Sequence, residues 1–141
     1  MPAWSDIKPS AIAAQLPIVW SYKYDPATAE FTGRLAGERI ARMFGRDFRG
    51  TPMAELQPAA DFPWVYAMCK RIVAEPALYH GAGLMYRHLD KYGKGERIVM
   101  PLAGDGITAD GILGATDYWL EAGEASAAPT SEPEIEDWFR L

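Results

Sequence analysis

At 141 residues the chain has the length of one domain, and 49 % hydrophobic with 23 % charged residues is the make-up of a folded globular protein. Its net charge of −5 is segregated: residues 1–120 balance thirteen acidic against thirteen basic side chains, so the whole excess lies from Glu121 onward. A neutral body with an acidic tail excludes the footprint of a general nucleic-acid binder, the single cysteine, Cys69, excludes an intrachain disulfide and a multi-cysteine zinc site, and no apolar run approaches the roughly 18 residues that span a bilayer.

The opening residues MPAWSDIKPS lack the basic start and apolar core of a signal peptide, so a cytoplasmic protein without membrane insertion is expected. Residues 1–17 read as an arm and a weak helix. Trp4 is an anchor, Asp6 or Ser10 can cap, and Pro9 is tolerated in a first turn. Ala11, Ala13 and Ala14 favour the helical state until Leu16 and Pro17 end it. Residues 18–24 alternate, with Ile18, Trp20, Tyr22 and Tyr24 on one face, the pattern of a half-buried strand. Asp25-Pro26 turns the chain, and residues 30–36 return with Phe31, Gly33 and Leu35 inward.

Residues 31–50 carry five of the fourteen lysines and arginines and organise the rest of the chain. After Gly37 a short helix is predicted, stopped by Gly45, with Ile40, Met43 and Phe44 on one side and Arg39, Arg42 and Arg46 on the other. At most one helical turn fits around residues 53–56, between Pro52 and Pro58. Asp61 is placed to cap the longest helix, over about residues 62–75, with Pro63 near its first position. Phe62, Val65, Cys69, Ile72 and Val73 form its apolar stripe.

The rest of residues 18–120 reads as sheet. A strand over 78–88 is followed by a turn at Tyr92-Gly93-Lys94-Gly95 and a return over 96–102, with Ile98, Met100 and Leu102 alternating. Pro101 fits an edge or a strand end better than a central position. Gly104-Asp105-Gly106 turns into a last strand over 112–120. Two strands, short helices and three more strands make an α+β domain with an antiparallel sheet and its helices gathered on one face. Residues 121–141 form an acidic linker and a two-turn helix, with Ile135, Trp138 and Leu141 to one side, too short to be stable undocked.

Leu16-Pro17-Ile18, Arg34-Leu35-Ala36-Gly37, Arg39-Ile40, Phe44-Gly45-Arg46-Asp47 and Arg49-Gly50, with the late strand Gly111-Ile112-Leu113-Gly114-Ala115, resemble a PAS domain of the stand-alone alphaproteobacterial type. The likeness covers roughly residues 5–120. It implies a five-stranded antiparallel sheet whose inner face cups the helices, with a space between them that often holds a small ligand. It also implies a homodimer, built through the N-terminal helix and an exposed sheet face, that senses and relays rather than catalyses. Output would then pass by non-covalent association to a regulatory protein partner. Two other classes stay open. One is a small cone-shaped enzyme resembling ketosteroid isomerases, with an Asp and a Tyr in an aromatic pocket, although such folds begin with helices. The other is a purely structural interaction or dimerisation module.

The candidate chemistry is sparse. Flavin-binding photosensory PAS domains carry their reactive cysteine in an NCRFLQ-like segment before the long helix, whereas Cys69 sits mid-helix among apolar residues and reads as core. Haem PAS domains take a histidine from the helical region, which has none here; His80 and His88 both fall in the third strand, too far apart to share a metal. A flavin–cysteine adduct and haem are therefore not expected. Asp61 is explained by capping and Asp105 and Asp110 by turns, which leaves Asp117 the least accounted for. Tyr22, Phe44, Tyr66, Tyr86, Met100 and Thr116 are the candidate lining of a ligand pocket, against the plainer reading of a filled aromatic core. Arg39, Arg42 and Arg46 read as a solvated face or as a site for an anionic partner. The opposed charges predict that the acidic tail packs on that face, in cis or across a dimer.

Overall fold

The computed structural model describes residues 1–88, 91–122 and 133–141, so most of the predicted linker lies outside the described residues. Six strands form one antiparallel sheet: β1 Val19–Asp25, β2 Glu30–Ala36, β3 Ala77–His88, β4 Lys91–Leu102, β5 Gly111–Ala122 and β6 Ile135–Arg140. Their order is β2-β1-β5-β4-β3-β6. The helices α1 Glu38–Phe44, α2 Met53–Leu56 and α3 Phe62–Ala74 all pack on one face.

The early hairpin and the helices follow the sequence, except that Leu35, expected inward, is 40 % exposed on β2, where a register shift at Ser21/Tyr22 interrupts the alternation. Trp20, Tyr22 and Tyr24 of β1 and Phe31 of β2 point into the helix-facing core. α1 buries Ile40 and Met43 and ends at Gly45, which takes the left-handed conformation at φ 64° that an L side chain resists. α3 buries Val65, Met68, Cys69 and Ile72, a stripe at helical spacing against the sheet. Pro101 lies one residue from the end of β4, beyond the last residue pair with β3, where its missing N–H leaves no ladder bond unmade.

Five further expectations are corrected. The N-terminal segment is not an α-helix but a ten-residue 3-10 stretch, Pro9–Ile18, broken by non-helical backbone at Ile12. Two prolines remove amide donors, and its alanines give no apolar stripe to hold an α-helix on the sheet. The stretch lies instead on the sheet's outer face, where Trp4, Ile7 and Ile12 cover Val19, Leu102 and Leu113.

The sheet has six strands, not five, because residues 135–140 form a strand and not a helix. In a strand Trp138 reaches the Tyr79 ring at 4.8 Å and the Arg71 guanidinium at 3.9 Å. The main chain meanwhile satisfies the open edge of β3, pairing Ala77 with Arg140 through Ala82 with Ile135. An isolated two-turn helix would have neither gain.

The turn expected at 92–95 is inside β4, where Gly93 pairs with Tyr86 and Gly95 with Gly83. Its glycines serve close approach rather than turning. A Cβ on Gly95 would stand 1.9 Å from the Asp117 carbonyl oxygen on β5. Gly114 works alike, since a Cβ there would stand 2.2 Å from the Trp20 ring.

The alternation of β4 runs the other way. Arg97 and Val99 face the helices, while Ile98 is 49 % exposed on the outer face. With apolar residues at 98, 99 and 100 in a row, the pattern does not say which set points inward.

Asp61, finally, makes no side-chain cap bond. Its buried carboxylate accepts a hydrogen bond from Arg87 Nε at 3.2 Å on β3, tying the start of α3 to the sheet.

Candidate functional site

Between the sheet and the helices lies an aromatic centre with a small polar core. β1 supplies Trp20 and Tyr22, α1 supplies Phe44, and the loop after it supplies Phe48. β3, β4 and β5 supply Tyr86, Arg97 and Thr116. The rings pack edge to face or tilted: Tyr22 against Phe48 at 5.0 Å, Phe44 against Phe48 at 5.4 Å, and Phe44 against Tyr86 at 5.8 Å.

Thr116 is fully buried and is the acceptor at the middle, taking hydrogen bonds from Trp20 Nε1 at 2.8 Å and Arg97 Nε at 3.2 Å. Arg97 is 6 % exposed, with its guanidinium carbon 5.4 Å from the Tyr86 ring centroid and 5.8 Å from that of Trp20.

The void among these side chains is about 10 Å³, room for at most one water. Directly in front of it a hollow of about 290 Å³ opens to solvent between α1, the α2–α3 connection and β3. Phe44, Gln57 and Tyr86 line both spaces and form the partition. Gln57 is held there by one long bond, Nε2 donating to the Tyr22 hydroxyl at 3.3 Å. Burial raises the Tyr22 phenol well above its ordinary range, only partly offset by the Gln57 bond, so the hydroxyl stays neutral.

The predicted pocket residues divide. Tyr22, Phe44, Tyr86 and Thr116 meet at this centre. Tyr66 lies elsewhere on the helix-facing side, its hydroxyl donating to the Ala29 carbonyl at 2.8 Å near the β1–β2 turn. Met100 is on the opposite face of the sheet, with the N-terminal arm.

The three arginines of α1 are each engaged within the chain. Arg39 donates to Asp117 Oδ1 at 2.9 Å and to the Tyr118 carbonyl, and so accounts for Asp117, which is exposed on the rim. Arg42 pairs with Glu38 one turn back, and Arg46 pairs with Glu55 at 3.6 Å. The described part of the acidic tail does not join them. It runs along β3, where Asp137 meets His80 at 3.1 Å and Glu134 meets Lys94 at 4.0 Å.

Sequence reading missed Arg97, Gln57 and the Asp61–Arg87 pair. The signal for Arg97 was its place two residues before Val99, on the set of β4 positions taken to face solvent. Asp105 does cap its turn, accepting from the Ile107 and Thr108 amides at 2.8 and 2.7 Å, and these bonds hold its carboxyl below the usual range.

Cys69 is fully buried in α3, and burial pushes its thiol up to about 12 against the opposing pull of the Arg97 charge. The native state holds that proton. This contribution to stability is intact below the unfolded thiol's ordinary value near 9 and is lost as pH climbs toward about 12. At about pH 8 the native protein should therefore resist iodoacetamide, while the denatured chain is alkylated completely. Stoichiometric labelling of the native state would show instead that α3 opens readily.

Among the described residues, no group of three or more His, Cys, Asp and Glu side chains could hold a metal ion, and no helix is long and apolar enough to cross a membrane. A family model described as PAS domain matches residues 1–130, which leaves β6 beyond the matched stretch. Comparison with curated proteins gives no match.

Proposed function

Because the chain belongs to the PAS domain family, whose members are sensory and regulatory modules, we propose that it binds a small molecule at the aromatic centre and signals by non-covalent association, without catalysis. One observation carries this reading: the 290 Å³ hollow stops at a partition of three side chains, and behind that partition lies a buried polar core. The combined space reaches the lower end of the roughly 300–1,000 Å³ usual for small-molecule sites, and its few polar groups converge among rings.

Association is assigned to the outer face of the sheet. There Ile12, Ile98, Met100 and Leu113 line an apolar groove of about 200 Å³ beside the 3-10 stretch. A homodimer through this face covers Ile98 and brings the N-terminal arms together; a regulatory partner would use the same surface.

Native mass spectrometry of the purified chain tests both halves of the proposal. The expected spectrum shows a dimer of the 15.6 kDa chain with a co-purifying small molecule, and Ile98→Glu reduces it to a monomer. A bare monomer over the whole working range of concentration would defeat the dimer assignment. Small molecules that leave Phe44 and Gln57 undisturbed in NMR spectra would defeat the pocket.

A further inference from the structure

Arg97 is the unexplained group of the core. It is a permanent cation, yet it is buried and makes no ion pair with a carboxylate among the described residues. Its Nε donates to Thr116 and its Nη2 reaches the Met85 carbonyl at 3.4 Å. Its remaining N–H groups, the whole of Nη1 among them, meet no protein acceptor among the described residues. Two ring faces at more than 5 Å offset only part of the cost of desolvating a charge, which is several kcal/mol. Packing alone would be served better by a methionine or leucine. Arg97 also lines the small void directly behind the partition.

We infer that Arg97 is the anchor for the carboxylate of a small, otherwise apolar molecule, which enters from the hollow and displaces Gln57 from the Tyr22 hydroxyl. This rests on the ligand-sensing reading above and names its chemical class. A guanidinium fork matches a planar carboxylate through two parallel N–H···O bonds, and the surrounding rings take the ligand's apolar body. A phosphate is disfavoured at this site. It would bring up to two charges to a single arginine, past a mouth lined by Glu55 and Asp61, and the other arginine there, Arg87, already serves Asp61. Displacing Gln57 breaks one 3.3 Å bond, a small loss beside a charge-assisted pair formed out of water.

The test uses the full chain labelled with nitrogen-15, following the Trp20 Nε1–H and Arg97 Nε–H resonances, which both report on Thr116. The probes are phenylacetate with phenylacetamide, hexanoate with hexanamide, and phenyl phosphate, benzyl alcohol and benzylamine. The expected result is that at least one acid shifts both resonances saturably and binds at least tenfold more tightly than its amide. Arg97→Gln should bring that acid down to the amide's level; if this variant does not fold, the acid-to-amide ratio in the natural chain decides alone. Equal binding of acid and amide, or tighter binding of phenyl phosphate, overturns the carboxylate assignment and leaves the sensing pocket standing. Silence from every acid also overturns it. Silence from the neutral and cationic probes as well takes the pocket down with it.

Discussion

Deleting residues 133–141 is expected to lower the melting temperature by roughly 10 °C and to make the protein associate in a concentration-dependent way. The first effect comes from Trp138. Its ring packs between Tyr79 and Arg71, and losing a part-buried tryptophan together with an edge strand costs about 3 kcal/mol, or roughly 10 °C for a domain of this length. The second comes from the main chain. Without β6, the backbone of residues 77–82 becomes an unpaired edge, a template for another strand. The flanking ion pairs, His80 with Asp137 and Lys94 with Glu134, each have a solvent-exposed carboxylate and contribute little, so the effect should depend only weakly on salt. Scanning calorimetry and size-exclusion chromatography separate the two. Trp138→Ala should reproduce most of the thermal loss without the association, because the ladder remains. An unchanged melting temperature on deletion would mean that β6 does not hold the edge in solution.

Arg97→Met should do the opposite and stabilise the protein, by about 2 kcal/mol or roughly 6 °C. Methionine fills similar length and volume, needs no counter-charge and leaves Thr116 bonded to Trp20. The same substitution should abolish any preference for acids over amides. A gain in stability coupled to a loss of binding marks a residue retained for recognition; a loss of stability would mean that the guanidinium bonds to Thr116 and Met85 outweigh its desolvation. Urea denaturation of the two proteins, followed by Trp fluorescence, gives the answer directly.

The contrast between Arg97 and Arg39 shows where the sequence is legible and where it is not. Helix α1 and its glycine stop are local events, set by apolar spacing and a left-handed cap, so residues 38–45 read correctly from their own letters. The β1–β2 hairpin and the stripe of α3 are local in the same sense. β4 is not. With Ile98, Val99 and Met100 consecutive, its inward face is settled by what β3 and β5 place opposite, and a one-residue error in facing turns a buried arginine into an apparent surface one. Arg39 stood out on a helix face that looked open, and only the return of β5 some eighty residues later supplies Asp117 and Tyr118 to meet it. The C-terminal segment fails for a related reason. Residues 135–140 have an amphipathic spacing that suits a helix or a strand, and the vacant edge of β3 chooses between them.

The strand order also governs how the chain can assemble. β1 sits beside β5, with Val19 paired to Ala115 and Lys23 to Gly111, so the middle of the sheet joins residues made early to residues made late. During synthesis the β1–β2 hairpin and the three helices emerge with apolar faces and no sheet to receive them. Only when residues 111–122 leave the ribosome can the two halves zip together. Such non-local pairing slows folding relative to a chain of local contacts and lengthens the time its aromatic surface stays open to other chains. A newly made copy therefore keeps its inner apolar faces uncovered until its fifth strand arrives.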